Sequence, residues 1–157
     1  MATNTRIAVA VAAAIGIAIP AEGLRQVAYR DPPGVLTVCY GETHNVDPAK
    51  VYSIDECKAR LSASMLKAVE IVEECQPGLP VHVLAAFGDA VYNLGPTIAC
   101  DPERSTAARL LKAGQYADAC VQLGRWNKAR IGGVMVELPG LTKRRNREAN
   151  LCMRGFV

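Results

Sequence analysis

Apolar and polar positions change rhythm several times along the chain, and each rhythm predicts a different element. Ile7 to Ala21 reads IAVAVAAAIGIAIPA, fifteen residues without a charge. That is shorter than the ~20 residues of a comfortable membrane span. It suits the apolar core of an export signal, and it equally suits a buried first helix. The run has no Leu or Phe, so it is weakly hydrophobic for its length and would be held poorly by lipid. Pro20 is a departure from a clean helix there.

A polar stretch follows. Asp31-Pro32-Pro33-Gly34 is turn chemistry. Val35 to Tyr40 has strand composition, and with Val27 to Tyr29 it predicts a small hairpin. From there the period becomes helical. Ser53-Ile54-Asp55-Glu56 has the spacing of a capping box. Ile54, Cys57, Leu61, Met65, Ala68, Val72 and Cys75 recur at steps of three and four, the buried face of one long helix. Gln76-Pro77-Gly78 ends it. Pro80 opens a second helix through Phe87 to Asn93, closed by Gly95-Pro96. Asp101-Pro102 predicts the start of a short helix through Leu110 and Leu111. Tyr116 to Leu123 and Pro139 to Met153 complete the set. The expected fold is α+β: a mostly helical domain with a small β-hairpin lobe near the N-terminus. No repeat, linker or low-complexity tract divides it.

The chain has 157 residues, half of them apolar, which is one domain with a real core. The net charge of +3 and an aromatic content of 5% argue against a nucleic-acid surface. The basic run Lys143 to Arg147 suits a solvated helix face as well as a site. Six cysteines, Cys39, Cys57, Cys75, Cys100, Cys120 and Cys152, are dispersed, with no CxxC pair and only two histidines, His44 and His82. Metal-ligand spacing is absent. An even, scattered set implies disulfides and an oxidising compartment, although sequence alone does not choose the pairing.

Two carboxylates flank the hairpin turn, Glu22 and Asp31, with Thr37 on the following strand. Each has an ordinary structural use. Together they fit glycoside hydrolysis, which needs a protonated acid at the leaving oxygen and a second carboxylate across the cleft. Glu22 ends an apolar segment, where desolvation would favour its protonated form. Asp31 lies in a polar turn, where it should stay ionised. Thr37 offers a hydroxyl to hold a water beside Asp31.

Glu22-Gly23-Leu24-Arg25, Tyr29-Arg30-Asp31, Gly34, Thr37-Val38 and Gly41-Glu42-Thr43 resemble the active-site segment of the phage-type lysozymes. The likeness continues through Tyr92-Asn93-Leu94-Gly95, Arg125-Trp126, Pro139-Gly140-Leu141-Thr142 and Arg144-Arg145, from about Ala13 to Cys152. The resemblance implies a lysozyme-like fold and a peptidoglycan-degrading muramidase that cleaves the β-1,4 bond between N-acetylmuramic acid and N-acetylglucosamine. It implies Glu22 as general acid, Asp31 on the far face of the sugar and Thr37 as water positioner. An inverting mechanism and a carboxylate separation of about 6.5–9.5 Å follow. Cleft walls would come from Thr43, Tyr92 and Asn93, and Arg144 or Arg145 would stand near the acid. Trp126 is expected in the core, and His44 and His82 in structural roles. Ala129 to Glu137 reads as an insertion. The pairings implied are Cys39–Cys57, Cys75–Cys100 and Cys120–Cys152. No metal or organic cofactor is implied.

The N-terminal run further resembles the signal-arrest-release segments of some endolysins. Residues 1–21 would then be an export segment that doubles as the first helix, and residues 22–157 the lysozyme domain. The implied partners are peptidoglycan, the host Sec machinery and, transiently, the inner membrane. The implied location is the inner membrane and then the periplasm, as a monomer. With no cysteine before Cys39, activation by disulfide exchange from the segment lacks its thiol. Competing expectations are a lytic transglycosylase, which would use Glu22 without Asp31 or Thr37, and an inactive wall-binding protein on the same fold.

Overall fold

The computed structural model describes residues 2–156. The apolar N-terminal run is not a separate leader in this structure. It forms α1 (Ala2–Glu22), whose Ala10, Ala14, Ile17 and Ala18 lie in the common core. Small side chains on that face let α1 approach its neighbours closely. The helix outlasts the uncharged run: Thr3–Glu22 is long and apolar enough to cross a bilayer by length and composition. Arg6, the one charge before the run, forms an ion pair with Glu73 and donates to the Leu79 carbonyl at 2.8 Å. The helix runs through Pro20 to Glu22. Pro20 sits in the last turn, on the exposed side of the helix.

The β-lobe follows at once. β1 (Arg25–Arg30) and β2 (Leu36–Cys39) pair antiparallel, Tyr29 opposite Thr37, with an irregularity between Arg25 and Tyr29. The lobe is tied to the helical body by the Tyr52 N–H, which donates to the Gln26 carbonyl at 2.8 Å. It is tied again by the Cys39–Cys57 disulfide into α2 (Ile54–Cys75).

The capping box of α2 forms as its sequence requires. The Glu56 N–H donates to Ser53 Oγ at 3.0 Å, and the Ser53 N–H to Glu56 Oε2 at 2.8 Å. The helix buries Cys57, Leu61, Met65, Ala68, Val69 and Val72, while Ile54, expected on the same face, is exposed at the first turn. α3 (Val81–Leu94) is buried along nearly its whole length and lies at the centre, against α1, α2 and α7.

The remaining helices are α4 (Thr97–Cys100), α5 (Thr106–Lys112), α6 (Tyr116–Gln122) and α7 (Pro139–Met153). Asp101-Pro102 does not open a helix. Asp101 Oδ1 instead accepts from the Glu103 and Arg104 N–H groups, closing a turn. Ser105 takes over as the cap of α5, accepting from the Ala108 N–H at 3.2 Å. An aspartate before proline serves turn and cap alike, and the next hydroxyl decided between them.

Ala129 to Glu137 is a second hairpin, β3 (Lys128–Ile131) and β4 (Val134–Glu137), turned by Gly132 and Gly133 at positive φ. All three disulfides join as expected, the other two being Cys75–Cys100 and Cys120–Cys152. Trp126 packs half-buried against the core. His82 packs against Phe156 with ring centroids 5.1 Å apart and the planes tilted by 58°, and burial lowers its pKa. His44 is exposed, its carbonyl taken by Arg60.

Candidate active site

Glu22 is the last residue of α1, and two other parts of the fold meet on its side chain. Arg144 of α7 donates from Nη1 to Glu22 Oε1. Gly41, just beyond β2, lies so close that a Cβ there would sit 2.9 Å from Glu22 Oε2. The Glu22 side chain is 21% exposed, enough to meet a ligand. Of the two arginines that could have filled this place, Arg144 does. Arg145 donates from Nη2 to Asn93 Oδ1 at 2.9 Å and to Glu148 Oε1 at 2.6 Å. The basic run therefore splits: Arg144 and Arg145 point inward and are buried, while Lys143 and Asn146 face solvent.

Behind Arg144 stands Asp89, fully buried on α3. Arg144 Nε and Nη2 reach its two oxygens at 2.9 and 2.8 Å, a two-pronged pair. Burial works against the Arg144 charge. The bonds and charge of Asp89 and the charge of Glu22 outweigh it, so the guanidinium is held protonated more firmly than usual. Glu148 is also fully buried. Burial first, then its hydrogen bond with Asp89 and the Asp89 charge, push its carboxyl well above the usual range against the pull of Arg145 and Arg144. Sequence reading missed Asp89 and Glu148. The signal for Asp89 was a lone acid in the otherwise apolar stretch Val83 to Val91, which a core tolerates only with a partner.

Asp31 follows β1 and closes the hairpin turn. Its Oδ1 accepts from the Val35 N–H at 2.7 Å, and its own N–H donates to the Val35 carbonyl at 3.0 Å. Thr37 is buried on β2, and its hydroxyl donates to that same Val35 carbonyl at 3.0 Å. Asp31 and Thr37 thus share Val35 as a partner. Among the described residues no hydrogen bond joins Glu22 to Asp31. Glu22 is lodged at the Gly41 end of the lobe and Asp31 at its turn.

The three residues expected as cleft walls differ among themselves. Thr43 is exposed. Tyr92 and Asn93 are half-buried and bond inward. The Tyr92 hydroxyl lies 2.8 Å from the Tyr40 carbonyl and 3.0 Å from Glu42 Oε1. Glu42 is buried and also accepts from Ser64 Oγ at 2.8 Å. Burial, then the charges of Glu42 and Glu22, raise the Tyr92 pKa, so the hydroxyl stays protonated. Tyr92 clasps the lobe to α3 through Glu42, a motif residue to which sequence reading assigned no role.

A family model described as Phage lysozyme matches residues 20–148. The chain belongs to the phage lysozyme family. Membership makes it a glycoside hydrolase, a peptidoglycan-degrading endolysin. Among similar proteins, the SAR-endolysin of Bacteriophage PS119 is 38% identical over 85% of this chain and 77% of its own. The SAR-endolysin of Pseudomonas phage phiKMV is 32% identical over 92% of this chain and 88% of its own. The active form of the P1 phage endolysin Lyz superposes with a TM-score of 0.80 at 24% identity, covering 92% of this chain and 85% of that one. Its secreted inactive form gives 0.54 at 21% identity, covering 73% and 77%. In fold, then, this phage lysozyme stands nearer the active form than the inactive one.

Proposed function

We propose that this lysozyme is a muramidase that hydrolyses the β-1,4 bond between N-acetylmuramic acid and N-acetylglucosamine, with Glu22 as general acid. The observation that carries the reading is the lodging of Glu22. It ends the helix that packs into the core, is gripped by Arg144 and abuts Gly41 at the edge of the β-lobe. An acid held by two bodies of the fold and still part-exposed can present its proton to a glycosidic oxygen between them.

Asp31 and Thr37 complete the chemistry. The Thr37 hydroxyl proton is committed to the Val35 carbonyl, which leaves its oxygen as an acceptor. A water that donates one proton to Thr37 and the other to Asp31 keeps a lone pair for the anomeric carbon. Attack from the face opposite Glu22 inverts the configuration. Thr43 and the exposed edges of Tyr92 and Asn93 border the sugar. The reaction requires no metal or organic cofactor. On purified walls, Glu22→Gln and Asp31→Asn should each abolish clearing while keeping the wild-type melting temperature. Clearing by Asp31→Asn at the wild-type rate would favour a transglycosylase. Clearing by Glu22→Gln would remove the reading.

Two observations support a membrane-tethered precursor. α1 is long and apolar enough to cross a bilayer, and the relatives named above are SAR-endolysins. Ala10, Ala14, Ile17 and Ala18 lie in the core of the folded enzyme. Those residues cannot face lipid and pack on α3 at once. Export by the Sec machinery with α1 in the inner membrane therefore withholds Glu22, and release to the periplasm delivers it to a monomeric enzyme. Collapsing the membrane potential of expressing cells should trigger early lysis. Unchanged lysis timing would count against the switch.

A further inference from the structure

Arg144 serves two carboxylates at once. Nη1 goes to Glu22, while Nε and Nη2 hold both oxygens of Asp89 at 2.9 and 2.8 Å. A guanidinium is planar and rigid, so two parallel bonds on one edge dictate where the remaining nitrogen points. Asp89 itself is fixed, fully buried in the middle of the central helix α3. We propose that Asp89 is a positioning residue for hydrolysis: its two-pronged grip sets the direction and the net charge with which Arg144 meets Glu22. The proposal rests on Glu22 being the general acid.

Charged groups face Arg144 from several elements. Glu22 faces it from α1, Asp89 from α3, and Glu148 from its own helix at 3.9 Å. The Tyr92 ring centroid lies 6.0 Å away, with Glu42 behind that hydroxyl. Arg145 is adjacent in sequence and bonded to Glu148. Glu148 is pushed toward its neutral form by burial and by Asp89, and its close partner is Arg145, not Arg144. Asp89 is thus the group that offsets the Arg144 charge from behind. A general acid must hold a proton, and an uncompensated cation beside it favours losing that proton. With both Asp89 oxygens bonded to it from behind, Arg144 can orient Glu22 without stripping it of its proton.

Asp89→Asn keeps the shape and removes the charge. Glu148→Gln is the matched control. Its oxygen can still accept from Arg145, and its amide donates where the carboxyl proton did. On purified peptidoglycan across a pH series, Asp89→Asn should lower kcat by about 10–100-fold, leave KM within about 2-fold and move the alkaline limb to lower pH by about one unit. Glu148→Gln should keep the wild-type limb. A folded Asp89→Asn with wild-type kcat and profile overturns the proposal. So does an equal loss in both variants that merely follows their melting temperatures. If Asp89→Asn does not fold, Arg144→Lys retains the charge but cannot make the two parallel bonds. Its kcat should fall comparably, and a wild-type rate would overturn the proposal. Activity in Glu22→Gln would instead sink the underlying reading of Glu22.

Discussion

Gly41 is where a single methyl group tests the placement of the acid. Its φ of 85° lies in the left-handed region, so alanine there strains the backbone by about 1–2 kcal/mol. The new Cβ would also sit 2.9 Å from Glu22 Oε2 and 3.3 Å from its Cδ. The atoms in the way are the far end of a flexible side chain. The carboxyl will therefore yield, at little further cost to stability, and turn from the position in which Arg144 holds it. A displacement approaching 1 Å at a reacting group costs on the order of 100-fold in rate. Gly114 supplies the control. It has φ of 76° and nothing within 4 Å of its would-be Cβ. Gly41→Ala and Gly114→Ala should lose similar stability in urea unfolding. Only Gly41→Ala should lose wall-clearing rate, by about 10–100-fold, at a temperature well below both melting midpoints. Equal clearing rates in the two variants would refute the claim that the lodging of Glu22 against Gly41 matters for catalysis.

Other consequences are equally specific. Glu148 has a folded pKa raised above its ordinary 4.5, so above that pH the folded chain holds a proton the unfolded chain has lost. Its contribution to stability therefore falls as pH rises, by up to about 1.4 kcal/mol per unit, until the raised value is passed. Glu148→Gln should flatten that slope in urea unfolding between about pH 5 and pH 7, and identical slopes would contradict it. A Cβ on Gly88 would lie 2.6 Å from Val69 Cγ2 where α2 crosses α3. Gly88→Ala should cost about 1–3 kcal/mol, with part restored by Val69→Ala in a double-mutant cycle; strictly additive losses would count against this. Replacing Cys39 and Cys57 together by alanine frees the lobe from α2, and thermal unfolding should report a loss of about 2–4 kcal/mol.

The helices were legible because their signals are local. The capping box at Ser53, the three–four spacing through Val72 and the proline opening α7 each fix an element without knowledge of the rest. The hairpin around Asp31 was legible for the same reason. The hairpin at Lys128–Glu137 carries a Gly-Gly turn, but its first strand, Lys-Ala-Arg-Ile, has only one β-branched residue, so the stretch reads as an insertion. Ser105 overrode Asp101 as a cap, since both residues suit either job and tertiary packing chooses. At the site, Glu22, Asp31 and Thr37 stood out by residue type and neighbourhood. Which arginine reaches Glu22 did not, because adjacent residues on a helix point about 100° apart and only the packing of α7 says which faces inward. Asp89 and Glu42 act through partners 55 and 50 residues distant, and no local pattern announces such pairs.

The products of wall digestion test the central claim most directly. Muropeptides released by the wild-type enzyme should carry hydrated, reducing N-acetylmuramic acid ends, as mass spectrometry would show. Proton NMR of the first turnovers should show the anomer inverted from the β bond. Anhydro ends would mean that no water was delivered by Asp31 and Thr37, and the hydrolytic role assigned to that pair would be wrong.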